Sequence, residues 1–319
     1  MSALFTFLWG FAMGVILLSL VGGFTAGFIL VERKVSARMQ MRIGPVHTGP
    51  HGLLQTVADM IKLMMKEDVR PARADRVAFN LGPLLTAVPA VMSFVVLPLG
   101  AGVVARDLNV GVLYFLAVPS ISVVGLVMAG WASYDNYSFL GGLRAAAQFI
   151  SYEIPRTLSV VGVVVVAGTL STVRIMEVQT IPYAVLLPVG FVVYLITSVA
   201  ELNRGPFDIP EAESEIVAGF HTEYSGLRWS LFFMAEYGGM FAASAFATVL
   251  FLGGGAGPLL PGFAWFWLKT LALVFVLMWV RWTLPRFRAD QLMALAWKGL
   301  LPAALINLGL AFVVLFLVR

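Results

Sequence analysis

The stretch from Glu201 to Glu236 gathers side chains that an apolar chain rarely carries. It reads Glu201-Leu-Asn-Arg204-Gly-Pro-Phe-Asp208-Ile-Pro-Glu211-Ala-Glu213-Ser-Glu215, then Glu223-Tyr-Ser and Glu236-Tyr, and it sets seven carboxylates against two arginines between long apolar runs. Each ionised group near lipid is costly and needs a partner or water. A chain of carboxylates at a membrane face is the chemistry of moving protons or of holding a polar headgroup. Glu211, Glu213 and Glu215 alternate, so they cannot all share one helical face with partners. Repulsion and partial burial would raise carboxylate pKa values there toward the working range. Glu236 falls about two turns inside an apolar run, where a carboxylate has few structural reasons to be. Glu153, in Gln148-Phe-Ile-Ser-Tyr-Glu-Ile-Pro, is open to two readings: a helix-end ion pair, with Arg144 in the preceding segment, or a relay member.

These groups must be held by a membrane scaffold. The chain has 319 residues, 60% of them hydrophobic and only 12% charged, with a net charge of +4 and a mean hydropathy of +0.92. That composition excludes an ordinary soluble globule and predicts an all-α, polytopic membrane protein. There is no cysteine, so thiolate ligation of an iron–sulfur cluster, a disulfide and a thiol nucleophile are all excluded. The three histidines, His47, His51 and His221, offer little to a metal centre. The first apolar run has no basic n-region and is long enough to span, so no cleavable signal is expected.

Hydropathy predicts about eight spans in a single transmembrane domain, at 7–31, 79–103, 111–131, 157–173, 183–200, 230–252, 263–283 and 300–318. The loop at 32–78 holds nine Lys/Arg, whereas the opposite side has only Arg106, Arg174 and Arg319. By the positive-inside rule that loop and the acidic loop at 201–229 are cytoplasmic, and both termini lie outside. Within the first loop Leu53, Val57, Ile61 and Met64 recur at helical spacing, with Gln55, Asp59, Lys62 and Lys66 on or near the other face. They predict an amphipathic helix on the membrane surface. Gly205-Pro206 and Ile209-Pro210 forbid a continuous helix through the acidic loop. Irregular backbone at that depth is tolerated where protein buries it or water reaches it.

Several long segments resemble one family. Glu32-Arg-Lys-Val-Ser-Ala-Arg38-Met-Gln-Met-Arg42-Ile-Gly44-Pro45, with Gly52-Leu-Leu-Gln-Thr-Val-Ala-Asp59-Met-Ile-Lys62-Leu-Met-Met-Lys66-Glu67, is similar to the first-loop signature of the H subunits of respiratory complex I. Gly141-Gly-Leu-Arg144, Gln148 through Glu153, Glu201 through Glu223-Tyr-Ser, and Asp290-Gln-Leu-Met with Trp297-Lys-Gly complete the resemblance, which covers nearly the whole chain in order. It implies the inner-membrane component that joins the two arms of the proton-pumping NADH–quinone oxidoreductase. That component forms much of the quinone chamber and begins the proton path. The resemblance implies that Arg33, Asp59, Lys62, Arg204 and Phe220 lie by the quinone. It implies that Glu153, Glu201, Glu211, Glu213, Glu215, Glu223 and Glu236 form the proton path.

The partners so implied are soluble iron–sulfur and quinone-site subunits, neighbouring membrane subunits, quinone as substrate and the lipid bilayer, with no nucleic acid and no metal or covalent cofactor in this chain. Departures fall at Val46 and His47, where the family often has Asn-Arg, at Asn136, where it usually has Lys, and at Ala289, where it has Tyr. Rival readings are a free-standing proton or cation transporter and the equivalent subunit of a membrane-bound hydrogenase. The transporter lacks support from any inverted repeat, since the acidic loop has no counterpart in the first half.

Overall fold

In a computed structural model of the chain, residues 3–100 and 103–318 are described, with the side chains of residues 3–7, 213, 214 and 318 outside that description. The elements run α1 (Ala3–Met39), α2 (Gln55–Met65), α3 (Arg76–Ser93), α4 (Gly111–Ala132), α5 (Asn136–Ala167), α6 (Thr172–Val178), α7 (Tyr183–Leu186), α8 (Pro188–Glu201), α9 (Glu213–Ile216), α10 (Gly226–Phe251), α11 (Gly262–Thr283), α12 (Ala289–Ala294) and, after a π-helical turn at Leu295–Leu300, α13 (Leu301–Val318). Among the described residues there is no strand. Among the described residues seven helices are long and apolar enough to cross a membrane, and the chain is a multi-pass membrane protein. The eighth expected span, 183–200, is built instead from α7 and the shorter α8, broken at Leu187, which has φ −126° and ψ 59°.

α1 and α5 exceed their expected spans for identifiable reasons. α1 continues past its apolar run to Met39, carrying Glu32 and Arg33 inside the helix. α5 begins well before 157 because Asp135 caps it, accepting a hydrogen bond from Ser138 N at 2.9 Å. It runs 32 residues, about 48 Å at 1.5 Å per residue, so it outreaches a hydrocarbon core and holds Glu153 mid-helix. The second expected span ends early: the helical path stops at Val96, not at 103.

Small residues let α3 and α4 approach closely. A Cβ on Gly82 would meet Ala129 at 2.9 Å, and one on Gly125 would meet Thr86 Oγ1 at 2.6 Å. α10 is the central element, its second half buried on all sides from Met240 to Phe251. Phe24, Phe94 and Trp267 pack their rings against its Phe241. α2 forms as the spacing of its apolar residues predicts and lies against α1 and α10.

Candidate functional site

The acidic loop, 202–225, is tied down from three sides. Gln148 Nε2 on α5 donates to the carbonyls of Ala200 (2.7 Å) and Phe207 (2.8 Å). Phe287 N donates to Pro206 O at 3.1 Å, and Arg286 donates to the Asp208 carbonyl. Gly219 closes the loop with φ +60°, where a Cβ would lie 1.8 Å from Pro210 O. Tyr224 stacks on Phe79 with ring centroids 4.1 Å apart and donates its hydroxyl to Phe79 O at 3.1 Å. The loop is therefore pressed into the bundle rather than splayed into solvent.

At its root sits a buried quartet of charges. Arg204, whose side chain is 1% exposed, donates Nη2 to Glu32 Oε2 at 2.5 Å and Nε to Glu236 Oε1 at 2.6 Å. Arg281 Nη1 reaches Glu32 Oε1 at 2.7 Å and Glu236 Oε1 at 3.5 Å. Two guanidinium and two carboxylate groups balance, which is what permits ions at this depth. The Tyr237 ring faces the Arg204 guanidinium at 4.6 Å. Burial works against the Arg204 charge, but the Glu236 and Glu32 carboxylates outweigh it and hold the guanidinium above its ordinary range. Glu32 can thus ride on α1 past the apolar run: its charge is neutralised from α11 and from the acidic loop.

Beside the quartet lies a cavity of about 100 Å³, room for a few waters. Glu201, Glu211, Glu236, Arg156 and His221 all line it. Arg156 pairs with Glu201, and its guanidinium lies over the Tyr194 and Phe115 rings. Arg156 Nε and Glu201 Oε1 are buried without a hydrogen-bond partner among the described residues. Burial, then the Glu236 and Asp208 carboxylates, push the Glu211 carboxyl well above the usual carboxylate range. His221 Nδ1 lies 3.9 Å from Glu211 Oε1, and burial lowers its imidazole to about 4. At neutral pH His221 is therefore uncharged, and it faces a Glu211 carboxyl whose surroundings favour its protonated form.

The remaining expected carboxylates are spread more widely. Glu153, inside α5, accepts from Ser120 Oγ at 2.6 Å. Arg144 pairs not with it but with Glu215, at 2.6 Å, and that bond holds the exposed Glu215 carboxyl below its ordinary range. Glu223 is half-buried in the turn before α10. The Glu213 side chain lies outside the described residues.

A second, mainly apolar pocket of about 450 Å³ opens between α1, α2 and α10. Thr25, Ile29, Met60, Met64, Trp229 and Met234 give it a greasy wall, and Arg33, Asp59 and Lys62 a polar end. Arg33 Nη1 donates to Asp59 Oδ2 at 2.5 Å, and Gln55 Nε2 donates to Asp59 Oδ1 at 3.1 Å. Arg204 and Phe220 do not line this slot: Arg204 belongs to the quartet and Phe220 lines the polar cavity. Phe233 on α10 lines both spaces, so a single side chain forms part of the wall between them. Arg156, His221, Phe233 and Arg281 are contributors that sequence reasoning missed. Arg156 and Arg281 had a usable signal, since an arginine at the end of an apolar run needs an anion.

Buried, balanced charges and an apolar slot beside a polar cavity, carried on apolar spanning helices, define a multi-pass membrane component with a built polar interior. A model of the NADH dehydrogenase family matches residues 12–312. The H subunit of NADH-quinone oxidoreductase from Dehalococcoides mccartyi (strain CBDB1) is 52% identical over 281 residues, covering 88% of this chain and 80% of that protein. The corresponding H subunits of Geobacillus kaustophilus (strain HTA426) and Brevibacillus brevis (strain 47) are 51% and 48% identical, over 95% and 97% of this chain and 93% and 94% of their own lengths. The chain belongs to the NADH dehydrogenase family, as a membrane subunit of the H type.

Proposed function

We propose that this chain forms the quinone-access slot and the first part of the proton path of a proton-translocating NADH–quinone oxidoreductase. The observation that carries the reading is the adjacency of two unlike spaces. An apolar slot of about 450 Å³ with an Arg33–Asp59 pair at its polar end shares Phe233 with a cavity lined by Glu201, Glu211 and Glu236. The slot suits an isoprenoid tail, and its methionines adapt to a flexible occupant. The cavity suits proton transfer, because Glu201, Glu211, Glu236 and His221 line one small polar space and lie within reach of a few waters.

Electrons come from elsewhere, since this chain has no cysteine to ligate a cluster. Soluble iron–sulfur subunits bound at the inner face deliver them, and neighbouring membrane subunits carry the protons onward. Reduction of a quinone takes up two protons and so changes the charge next to the acidic loop. That change shifts the protonation of Glu211 and the pairing of Glu236, and the loop responds as a two-state element. If α7 and α8 together cross once, the chain crosses eight times and both termini lie on the outer side.

The test uses the whole complex carrying Glu211→Gln, Glu213→Gln, Glu223→Gln or Glu236→Gln. NADH oxidation by an artificial acceptor is retained, while NADH–quinone turnover and proton pumping fall. Unchanged quinone turnover and pumping in all four variants overturns the reading.

A further inference from the structure

One corner of the molecule joins the slot to the acidic loop. α2 is a wall of the slot, and its C-terminal end is fastened to the start of α10 by three contacts. Ser225 Oγ donates to the Glu67 carbonyl at 3.2 Å. Arg228 Nη2 lies 3.1 Å from Asp68 Oδ2. Gly226, at φ +57°, sets its backbone against the last turn of α2, so that a Cβ would lie 3.3 Å from Leu63 O and 3.4 Å from Lys66 O. The same turn of α10 supplies Leu227, Trp229 and Leu231 to the slot.

The acidic loop enters this corner directly. His221, in the cavity wall, precedes Ser225 by four residues. Between them Tyr224 is pinned on Phe79, and the Arg228 guanidinium lies 5.3 Å from the centroid of that same ring. The buried Phe79 ring therefore touches both the loop, through Tyr224, and the Arg228 end of the Arg228–Asp68 contact. The Arg228–Asp68 pair is partly exposed and individually weak, as a contact that opens and closes must be.

We propose that Asp68, Arg228 and Gly226 form a latch that holds α2 against α10 and sets the width of the slot, so that rearrangement of the acidic loop alters how tightly a tailed quinone is gripped. Arg228 is here a positioning residue. The proposal rests on the quinone reading of the slot. With the latch closed, Met60 and Met64 of α2 face Trp229 and Met234 of α10 across the slot. With it open, α2 lifts and that grip is lost.

The experiment measures KM and kcat of the whole complex with a long-tailed and a short-tailed quinone, in Asp68→Asn, Arg228→Gln, Gly226→Ala and the exchanged pair Asp68→Arg/Arg228→Asp. Artificial-acceptor activity reports assembly. The single charge variants should raise KM for the long-tailed quinone by up to about fivefold, the ceiling for one exposed ion pair. KM for the short-tailed quinone and kcat should stay near those of the parent, and the exchanged pair should return KM toward the parent value. Gly226→Ala should raise KM with no such rescue. An unchanged KM in both single charge variants, with Glu211→Gln still lowering turnover, overturns the latch and leaves the proposed function standing. Unchanged turnover in Glu211→Gln and its companion carboxylate variants overturns both. An exchanged pair as impaired as the single variants also overturns the latch, because it marks structural damage rather than a lost charge pairing.

Discussion

Arg204→Met removes the centre of the buried quartet. Arg204 bonds Glu32 at 2.5 Å and Glu236 at 2.6 Å with almost no solvent access. Its loss leaves two carboxylates to share Arg281, whose contact with Glu236 is already long at 3.5 Å. Removing one partner from a buried ion pair costs about 3–5 kcal/mol, most of it the stranded charge. The combination Glu32→Gln/Arg204→Met removes one charge of each sign and leaves a neutral Glu236–Arg281 pair. It should recover at least about 2 kcal/mol, roughly thirtyfold in an equilibrium. The double variant should therefore be milder than Arg204→Met alone. The assay is the fraction of chain found in assembled complex, together with the half-life of quinone-linked activity at raised temperature. A double variant as impaired as the sum of the two single variants would refute the reasoning, since independent sites add and coupled charges do not.

Other outcomes follow from the same geometry. Glu211→Gln mimics the protonated carboxyl and should leave assembly unchanged while lowering quinone-linked turnover, measured against artificial-acceptor activity. His221 has a depressed folded-state pKa, so the unfolded chain binds more protons between pH 6.5 and about 4. Stability is lost as pH falls through that window, by on the order of 3 kcal/mol at its foot. His221→Phe should flatten that acid limb in a thermal-inactivation series across pH. Gly219→Ala forces a side chain into the Pro210 carbonyl at a left-handed backbone angle, and should abolish assembly on native gels. Phe233→Ala merges slot and cavity, and should lower protons pumped per quinone reduced more than turnover itself, with Phe233→Leu closer to the parent.

Much of the scaffold was readable from residue type and spacing. α2 appears where Val57, Ile61 and Met64 recur with helical period, because an amphipathic pattern needs only local information. Glu201 and Glu236 stood out because a carboxylate at the end of an apolar run, or within one, is too costly to be there without a partner or a task. The start of α5 was hidden, because Asp135 begins the helix in a segment whose hydropathy is unremarkable. Hydropathy reports membrane depth and not helix, so Glu153 fell outside its expected span although it lies inside the helix. Pairings were the least legible. Glu32 meets Arg281 across 249 residues and Arg204 across 172, and only the packing of α1, α10 and α11 brings them together. Nothing in the spacing around Glu32 marks it as one corner of a balanced quartet. His221 was missed because its place beside Glu211 depends on how the loop folds back at Gly219.

The density of the assembled complex with a bound quinone tests the heart of this reading. The isoprenoid tail should run between Met60, Met64, Trp229 and Met234, with ordered water beside Glu201, Glu211 and Glu236 on the far side of Phe233. A tail that lies elsewhere while this slot is filled by a neighbouring chain, or a dry space around those three carboxylates, would contradict it.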